Sequence, residues 1–267
     1  MKFFEDFWHK TLKRPHALNV GMKQGSGLPI VLLHGLGGKS EDWDPAISQI
    51  DLENNKVIAM DLLGFGKSPK PDFKHYSVDD HAASVIKTIK KLGIKQPIVL
   101  VGHSMGAVVA ARVAATGKLT INHLILYQVP VYADSPEYKV KDVRNKAYTT
   151  VITTALRHPK RTMRLVYLLG RAASNFIYIT LDPKSWRPFE QSLLNTVMRD
   201  SIYQDLAKIS VPISVIYGRY DMVVIRRNIK KIYRKSDLVQ FYEVSEAHRI
   251  TKKTGRIINS ILLDIKN

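Results

Sequence analysis

The chain has 267 residues, no cysteine and a formal net charge of +18. Its length and its ordinary apolar and charged fractions exclude disordered and fibrous proteins, and the lack of cysteine excludes a disulfide framework. So basic a protein attracts polyanions, but its Lys and Arg residues are spread along the chain, which favours a solvated surface over a nucleic-acid site.

The N-terminal segment combines aromatic and basic residues. Glu5 and Asp6 interrupt it where a signal peptide needs an apolar core, and no apolar run is as long as a membrane span, so we expect a cytoplasmic protein. The apolar side chains have helix-face spacing, and we expect them to pack on their own domain, the alternative being peripheral contact with an anionic membrane. They are Phe3, Phe4, Phe7, Trp8 and Leu12, with Lys2, Lys10, Lys13 and Arg14 nearby.

Short apolar runs alternate with helical stretches along most of the chain. Most of the runs are continuously apolar, as strands covered on both faces must be. A helix is predicted from Ser77, a capping residue, to Leu92 before Gly93. This alternation predicts an α/β fold with a doubly wound, mostly parallel sheet. The runs are residues 30–33, 57–60, 98–101, 124–127, 213–217 and, more weakly, 239–244, and residues 17–23 are predicted to form the opening strand.

The alternation stops within residues 130–209, which have helical periodicity and scattered prolines but no clear strand. We expect this stretch to be an all-helical cap, or lid, over a core made of residues 1–129 and 210–267. Its apolar side chains suggest an acyl or aryl pocket, and its cations either a solvated face, which we prefer, or a site for an anionic group. These residues are Phe176, Ile177, Tyr178, Ile179, Trp186 and Phe189, and Arg157, Lys160, Arg161, Arg164 and Arg171.

The pentapeptide GHSMG, centred on Ser104, is the most specific motif. A serine at the apex of a sharp strand-to-helix turn needs small neighbours, which Gly102 and Gly106 provide. A predicted strand at 98–101 precedes the turn, and a helix rich in small residues follows at 107–115. The pattern predicts that Ser104 is a nucleophile.

A serine hydroxyl needs a base to take its proton and a carboxylate to orient that base. His248 follows the last predicted strand and Asp221 follows the preceding one, so both reach the same sheet edge in the order Ser–Asp–His. We interpret His103 as structural, because on such a turn its side chain points into the fold. Glu246 lies on the same loop as His248, where facing the ring is awkward. The weaker candidates for the acid are Asp182, Asp200 and Asp205, within the helical insertion.

A glycine-rich loop at 35–38 follows the first buried strand, and Asp61 ends the next. The pattern suggests a dinucleotide site, but Ser40 stands where the third glycine is needed. An oxyanion loop explains these glycines better, with the backbone N–H groups of Leu36 and Met105 as donors. We therefore expect no nucleotide cofactor, and no His–carboxylate cluster has convincing metal-ligand spacing.

Together these motifs resemble the α/β-hydrolase superfamily, in its lidded esterase and C–C hydrolase branch, along nearly the whole chain. The residues that carry the resemblance are His-Gly at 34–35, DLLGFGKS at 61–68, GHSMG at 102–106, GRYD at 218–221 and His248. In that family the 61–68 turn is structural, and members with aspartate in place of Ser104 are dehalogenases or epoxide hydrolases. This chain departs from the pattern at Ala107 and Ala247 and lacks a proline after Asp221.

The resemblance implies a serine hydrolase without cofactor that cleaves a carboxylic ester, lipid-like or aryl, through an acyl-enzyme. The alternatives are a C–C hydrolase, a lactonase, a thioesterase, or a non-catalytic ligand-binding member. The expected partner is a small-molecule ester, with no specific nucleic acid, and the oligomeric state stays open.

Overall fold

The computed structural model describes residues 7–131, 161, 183–198, 202–221, 223–226, 228–229 and 237–266. Their strands form one sheet in the order β1-β3-β2-β4-β5-β6-β7, in which β1 is antiparallel to β3 and the other neighbours are parallel. The strands are β1 (Val20–Gln24), β2 (Leu28–Leu33), β3 (Asn55–Met60), β4 (Ile98–His103), β5 (Ile121–Tyr127), β6 (Ile213–Gly218) and β7 (Val239–Val244).

Helices cover both faces of this sheet. They include α1 (Asp44–Ile47), α2 (Val78–Lys91), α3 (Met105–Ala115), α4 (Trp186–Ser192), α5 (Ile202–Leu206) and α6 (Lys252–Lys266). Shorter 3-10 turns span Ser40–Trp43 and Pro183–Ser185, and π-helical turns span Phe7–Thr11 and Leu193–Met198.

Successive strand residues face opposite sides of the sheet, which gives the molecule two cores. Val31, Leu33 and Leu100 pack with α2 and α3 on one face. Ile30 and Leu32 pack with α1 and α6 on the other. Continuous apolar runs are therefore required here, since each strand is buried on both faces. The predicted doubly wound α/β fold is confirmed.

Local signals predict α2 closely. The Ser77 hydroxyl accepts a hydrogen bond from the amide of Asp80, whose carboxylate in turn accepts one from the Ser77 amide, and the two form a capping box. Beyond the last turn, Gly93 has φ +68°, a conformation that glycine adopts without strain.

The N-terminal part differs from its prediction. The opening strand starts at Val20, because the amides of Leu18 and Asn19 donate instead to Thr88 Oγ1 and Ser68 Oγ. Phe7 and Trp8 are not buried against the domain, since each is 48% exposed, and Leu12 is 45% exposed. Phe3 and Phe4 lie outside the described residues.

Part of the predicted cap is described, and it is helical at 183–198 and 202–206. This part contacts the start of α2: Thr196 Oγ1 donates to the Tyr76 carbonyl at 2.9 Å, and His81 Nε2 lies 3.1 Å from Ser192 Oγ. Of the predicted pocket residues, Trp186 and Phe189 are half-buried with stacked rings 5.8 Å apart. The other predicted pocket residues and cations, Arg161 excepted, lie outside the described residues, as do Asp182 and Asp200.

Among the helices of the described ranges, none is long and apolar enough to cross a membrane.

Candidate active site

The candidate site lies where the direction of strand addition changes. The chain passes from β2 to β3 on one side and then to β4 on the other, and β2 pairs directly with β4, Leu33 opposite Gly102. The loops that follow β2 and β4 therefore meet at the carboxyl edge of the sheet, a place where open α/β sheets bind ligands.

Ser104 occupies the sharp turn between β4 and α3. Its backbone has φ +53° and ψ −120°, which is strained for a residue with a Cβ. The turn is held by two hydrogen bonds, from the Ser104 amide to the Tyr127 carbonyl and from the Ala107 amide to the Ser104 carbonyl, both 2.9 Å. Ser104 is thus the N-cap of α3, with the positive end of the helix dipole beside it.

The two glycines of the pentapeptide allow the backbone to pass close to its neighbours. A Cβ on Gly102 would overlap the carbonyl of Gly106, and one on Gly106 would overlap the carbonyls of Leu33 and His34. The structure therefore has the sharp strand-to-helix turn that the sequence predicts. Its two glycines are needed because a larger residue at either position would overlap the neighbouring backbone.

Ser104, His248 and Asp221 form one hydrogen-bonded line. His248 Nε2 lies 2.9 Å from Ser104 Oγ, and His248 Nδ1 lies 2.7 Å from Asp221 Oδ2. An ionised carboxylate can only accept, so Nδ1 donates and Nε2 is left to accept the serine proton. All three residues are buried. The structure brings together the three side chains that the sequence singles out.

Asp221 is oriented by its own turn. Its second oxygen, Oδ1, accepts from the amides of Val223 at 2.8 Å and Val224 at 3.0 Å. The rival acids have other contacts: Glu246 Oε1 lies 3.6 Å from Lys253 Nζ, and both Asp205 oxygens accept from Arg112 Nε at 2.8 Å.

The predicted oxyanion donors lie on the two adjoining loops. Leu36 is half-buried in the turn after β2, and Met105 is the buried first residue of α3. Gly35, the residue before Leu36, packs so closely on the elbow that a Cβ there would lie 3.3 Å from Ser104 Cβ.

His34 shapes the loop after β2. Its Nδ1 donates to the Gly35 carbonyl at 2.7 Å and its Nε2 accepts from the Leu62 amide at 2.8 Å. Burial lowers the pKa of His34 to about 4, so the ring is neutral near neutral pH.

Asp61 organises a neighbouring turn and does not contact Ser104 or His248 by any hydrogen bond of the described residues. Its carboxylate accepts from the amides of Ser40 and Lys67 and from the Asn19 side chain, each at 2.8 Å. Burial alone would raise the pKa of Asp61, but these donors lower it overall. Asp61 therefore links its own turn to Ser40 and to Asn19, the residue before β1.

Sequence reasoning missed Gln128, which lies directly after β5 and is fully buried. Its side chain lies against the turns that carry Ser104, Asp221 and His248. The only available signal is a polar residue placed at the end of an apolar strand, a weak one by itself.

No group of three or more His, Cys, Asp or Glu side chains is arranged to hold a metal ion within the described part of the chain.

Several known proteins are similar to this chain in sequence or in structure. A family model described as alpha/beta hydrolase fold matches residues 29–251. The mesoderm-specific transcript homolog protein of Bos taurus is 28% identical over 259 residues, covering 86% of this chain and 75% of that protein. The probable lysophospholipase BODYGUARD 4 of Arabidopsis thaliana is 30% identical over 112 residues, covering 42% of this chain and 27% of that protein. The solved esterase EaEST from Exiguobacterium antarcticum has a TM-score of 0.74 at 18% identity, covering 95% of this chain and 100% of that one.

Proposed function

The chain belongs to the alpha/beta hydrolase fold family, and from this we propose that it is a serine hydrolase that cleaves a carboxylic ester through an acyl-enzyme. The observation that carries the proposal is the buried line from Ser104 Oγ through His248 to Asp221, with hydrogen bonds of 2.9 and 2.7 Å. Such a line lets an imidazole take the serine proton while a carboxylate stabilises the charge that results.

The proposed reaction has two acyl transfers. His248 accepts the Ser104 proton as Oγ attacks the ester carbonyl, and the amides of Leu36 and Met105 bind the oxyanion. His248 then gives its proton to the departing alcohol. In the second half, His248 activates water, which attacks the acyl-enzyme and releases the acid and free Ser104.

A fluorophosphonate probe together with a p-nitrophenyl ester tests this proposal. We expect the purified chain to be labelled and to turn over the ester, and Ser104→Ala to lose both. Ser84→Ala is the matched control, because Ser84 is a buried serine on α2 whose Oγ donates to the Asp80 carbonyl at 2.9 Å. A wild-type chain that is neither labelled nor active would instead support a non-catalytic ligand-binding protein.

A lipid-like or aryl acyl ester is the substrate class that we propose. The support is the stacked pair Trp186 and Phe189 in the insertion, and the similarity over part of the chain to a probable lysophospholipase. A panel of acyl esters, thioesters, lactones and dienoic C–C substrates should give the highest kcat/KM for a lipid-like or aryl acyl ester. Another class at the top of the ranking would replace this assignment.

We also propose peripheral contact with an anionic membrane, while a cytoplasmic location stays a prediction. Phe7, Trp8 and Leu12 are about half exposed on a segment that also carries exposed Lys10 and Lys13. Apolar side chains interspersed with cations are typical of segments that lie on anionic bilayers. Since β1 is antiparallel, this segment joins the sheet at its carboxyl edge, with Val20 opposite Met60.

Vesicles of phosphatidylcholine, with or without phosphatidylserine, test the membrane contact. We expect co-sedimentation only with phosphatidylserine and a blue shift of the Trp8 emission, and we expect Trp8→Ser and Lys10→Glu to weaken both. Leu263→Ser is the control, because Leu263 is 51% exposed on α6. Equal sedimentation of wild type and Trp8→Ser would contradict the contact.

A further inference from the structure

Gln128 is a buried polar residue at the carboxyl end of β5. Its side chain is fully buried, and its backbone N–H donates to the Ile216 carbonyl at 2.7 Å. Its φ is +50°, in the left-handed region that residues other than glycine enter at a cost. Because a glycine would adopt this conformation without cost, a glutamine at this position next to the candidate site indicates that its side chain has a function there.

The side-chain amide of Gln128 forms hydrogen bonds to the turns that carry Ser104 and His248 and lies against the turn that carries Asp221. Its Oε1 lies 3.1 Å from His103 Nε2, next to Ser104 in the chain. Its Nε2 donates to the Ala247 carbonyl, next to His248, at 2.5 Å. It also passes over the acid turn, since a Cβ on Gly218 would lie 2.9 Å from Nε2.

The chemistry of these contacts requires an amide. The Ala247 carbonyl can only accept, so the NH₂ group must face it, and Oε1 must face His103. His103 therefore carries its proton on Nε2. A glutamate would keep the contact with His103 but would offer no N–H to the Ala247 carbonyl. A leucine would leave both His103 and the Ala247 carbonyl unsatisfied.

From this geometry we infer that Gln128 is a positioning residue, which holds His248 in line with Ser104 and Asp221 by tying the Ala247 backbone to the His103 side chain. The inference rests on the proposed hydrolase function. Because Gln128 is fully buried, it acts through the loop of His248 and not by touching substrate.

The neighbouring ring of His103 supports this arrangement. It lies 5.0 Å, centroid to centroid, from the ring of His248. Burial, together with the nearby His248, lowers the pKa of His103 well below its usual range. His103 stays neutral, so it adds no positive charge to oppose the imidazolium that forms on His248 during the reaction.

Gln128→Met tests the inference, because it keeps the length of the side chain and removes both hydrogen bonds. We expect kcat to fall at least about tenfold while KM changes less than about twofold, the pattern for lost transition-state alignment. The fluorophosphonate probe should still label every molecule, but with a rate constant reduced by a similar factor. A merely structural role would lower the labelled fraction and leave the rate constant of the remaining molecules unchanged.

Ser214→Ala is the matched control, because it removes a different buried side-chain hydrogen bond, the one between Ser214 Oγ on β6 and His123 Nε2 on β5 at 2.8 Å. It should lower the melting temperature and leave kcat unchanged. If Gln128→Met does not fold, Gln128→Glu takes its place, and we expect the same loss of kcat.

An unchanged kcat and labelling rate in either Gln128 variant, beside an active wild type, would overturn the positioning role. A wild type that is neither labelled nor active would overturn the proposed hydrolase function, and the positioning role of Gln128 with it.

Discussion

Ser104 holds its backbone in a conformation that L-amino acids avoid, with φ +53° and ψ −120°. Strain of this kind costs about 1–3 kcal/mol and persists only where surrounding contacts impose it. Here the imposing contacts are the hydrogen bonds that Ser104 shares with Tyr127 and Ala107. The elbow therefore places the Ser104 hydroxyl beside His248 at the expense of stability.

Replacing Ser104 should reveal this cost. Ser104→Gly relieves the strain, although glycine also loses more backbone entropy on folding, so we expect a net gain of about 1 kcal/mol over Ser104→Ala. Both variants lack the nucleophile and should be inactive, which separates stability from activity. Urea unfolding measures the difference, and equal stabilities would mean that the turn is not strained.

At the residue scale, Ser104, Asp221 and His248 could be predicted because each follows a recognisable strand. The carboxyl ends of these parallel strands lie at the same edge of the sheet. Gln128 could not be predicted in the same way. Its proposed role depends on contacts with His103 and Ala247, 25 and 119 positions away in the chain. No local pattern encodes such contacts.

At the scale of elements, α3 packs closely against the sheet because its first turn has no side chain at Gly106. A Cβ there would meet the backbone carbonyls of Leu33 and His34 in β2 and the loop after it, which cannot move aside as a flexible side chain can. The close packing also fixes the start of α3, and with it the Met105 amide.

Gly106→Ala should therefore separate α3 from β2. We expect a loss of about 3 kcal/mol or more in the free energy of unfolding, together with loss of ester turnover. Gly117→Ala is the control: it has no atom within 4 Å of its new Cβ and a φ of +62°, so it should cost only about 1 kcal/mol. Urea unfolding and kcat of both variants check this, and a Gly106→Ala protein as stable as the control would contradict the packing argument.

The strands and α2 were predictable because continuous apolar runs and capping residues act locally. The beginning of β1 was not, because side chains from distant elements, Thr88 and Ser68, capture the amides of Leu18 and Asn19. The burial of Phe7 and Trp8 was predicted wrongly for a related reason. Helical spacing predicts that apolar side chains lie on one face of a segment. It does not predict whether another part of the protein packs on that face.

For the whole molecule, buried histidines make stability depend on pH. Burial lowers the pKa of His34 and of His81 to about 4, against about 6.5 for an unfolded histidine. As the pH falls below about 6.5, the unfolded chain binds protons that the folded chain does not. The stability that these residues contribute is therefore complete above that pH and is lost progressively down to about pH 4.

His81→Phe isolates one of these contributions, since the His81 ring already lies among aromatic neighbours, Phe65 and Tyr76. Between about pH 7 and about pH 5, the wild type should lose about 2 kcal/mol more stability than the variant. Urea unfolding at both pH values measures this. The exposed His75, changed to Asn, is the control and should keep the wild-type pH dependence. An unchanged slope in His81→Phe would mean that His81 titrates normally.

The position of the insertion has a consequence for how such a protein diversifies. β5 and β6 are hydrogen-bonded neighbours, Leu124 opposite Ile213 and Tyr127 opposite Ile216, although a long stretch of chain separates them. Selection can therefore lengthen, shorten or exchange that stretch while the pairing of the two strands stays the same. If the stretch chooses the substrate, then the repertoire of substrates and the chemistry at Ser104 are inherited separately, and grafting the stretch from a relative onto this sheet should transfer the one without rebuilding the other.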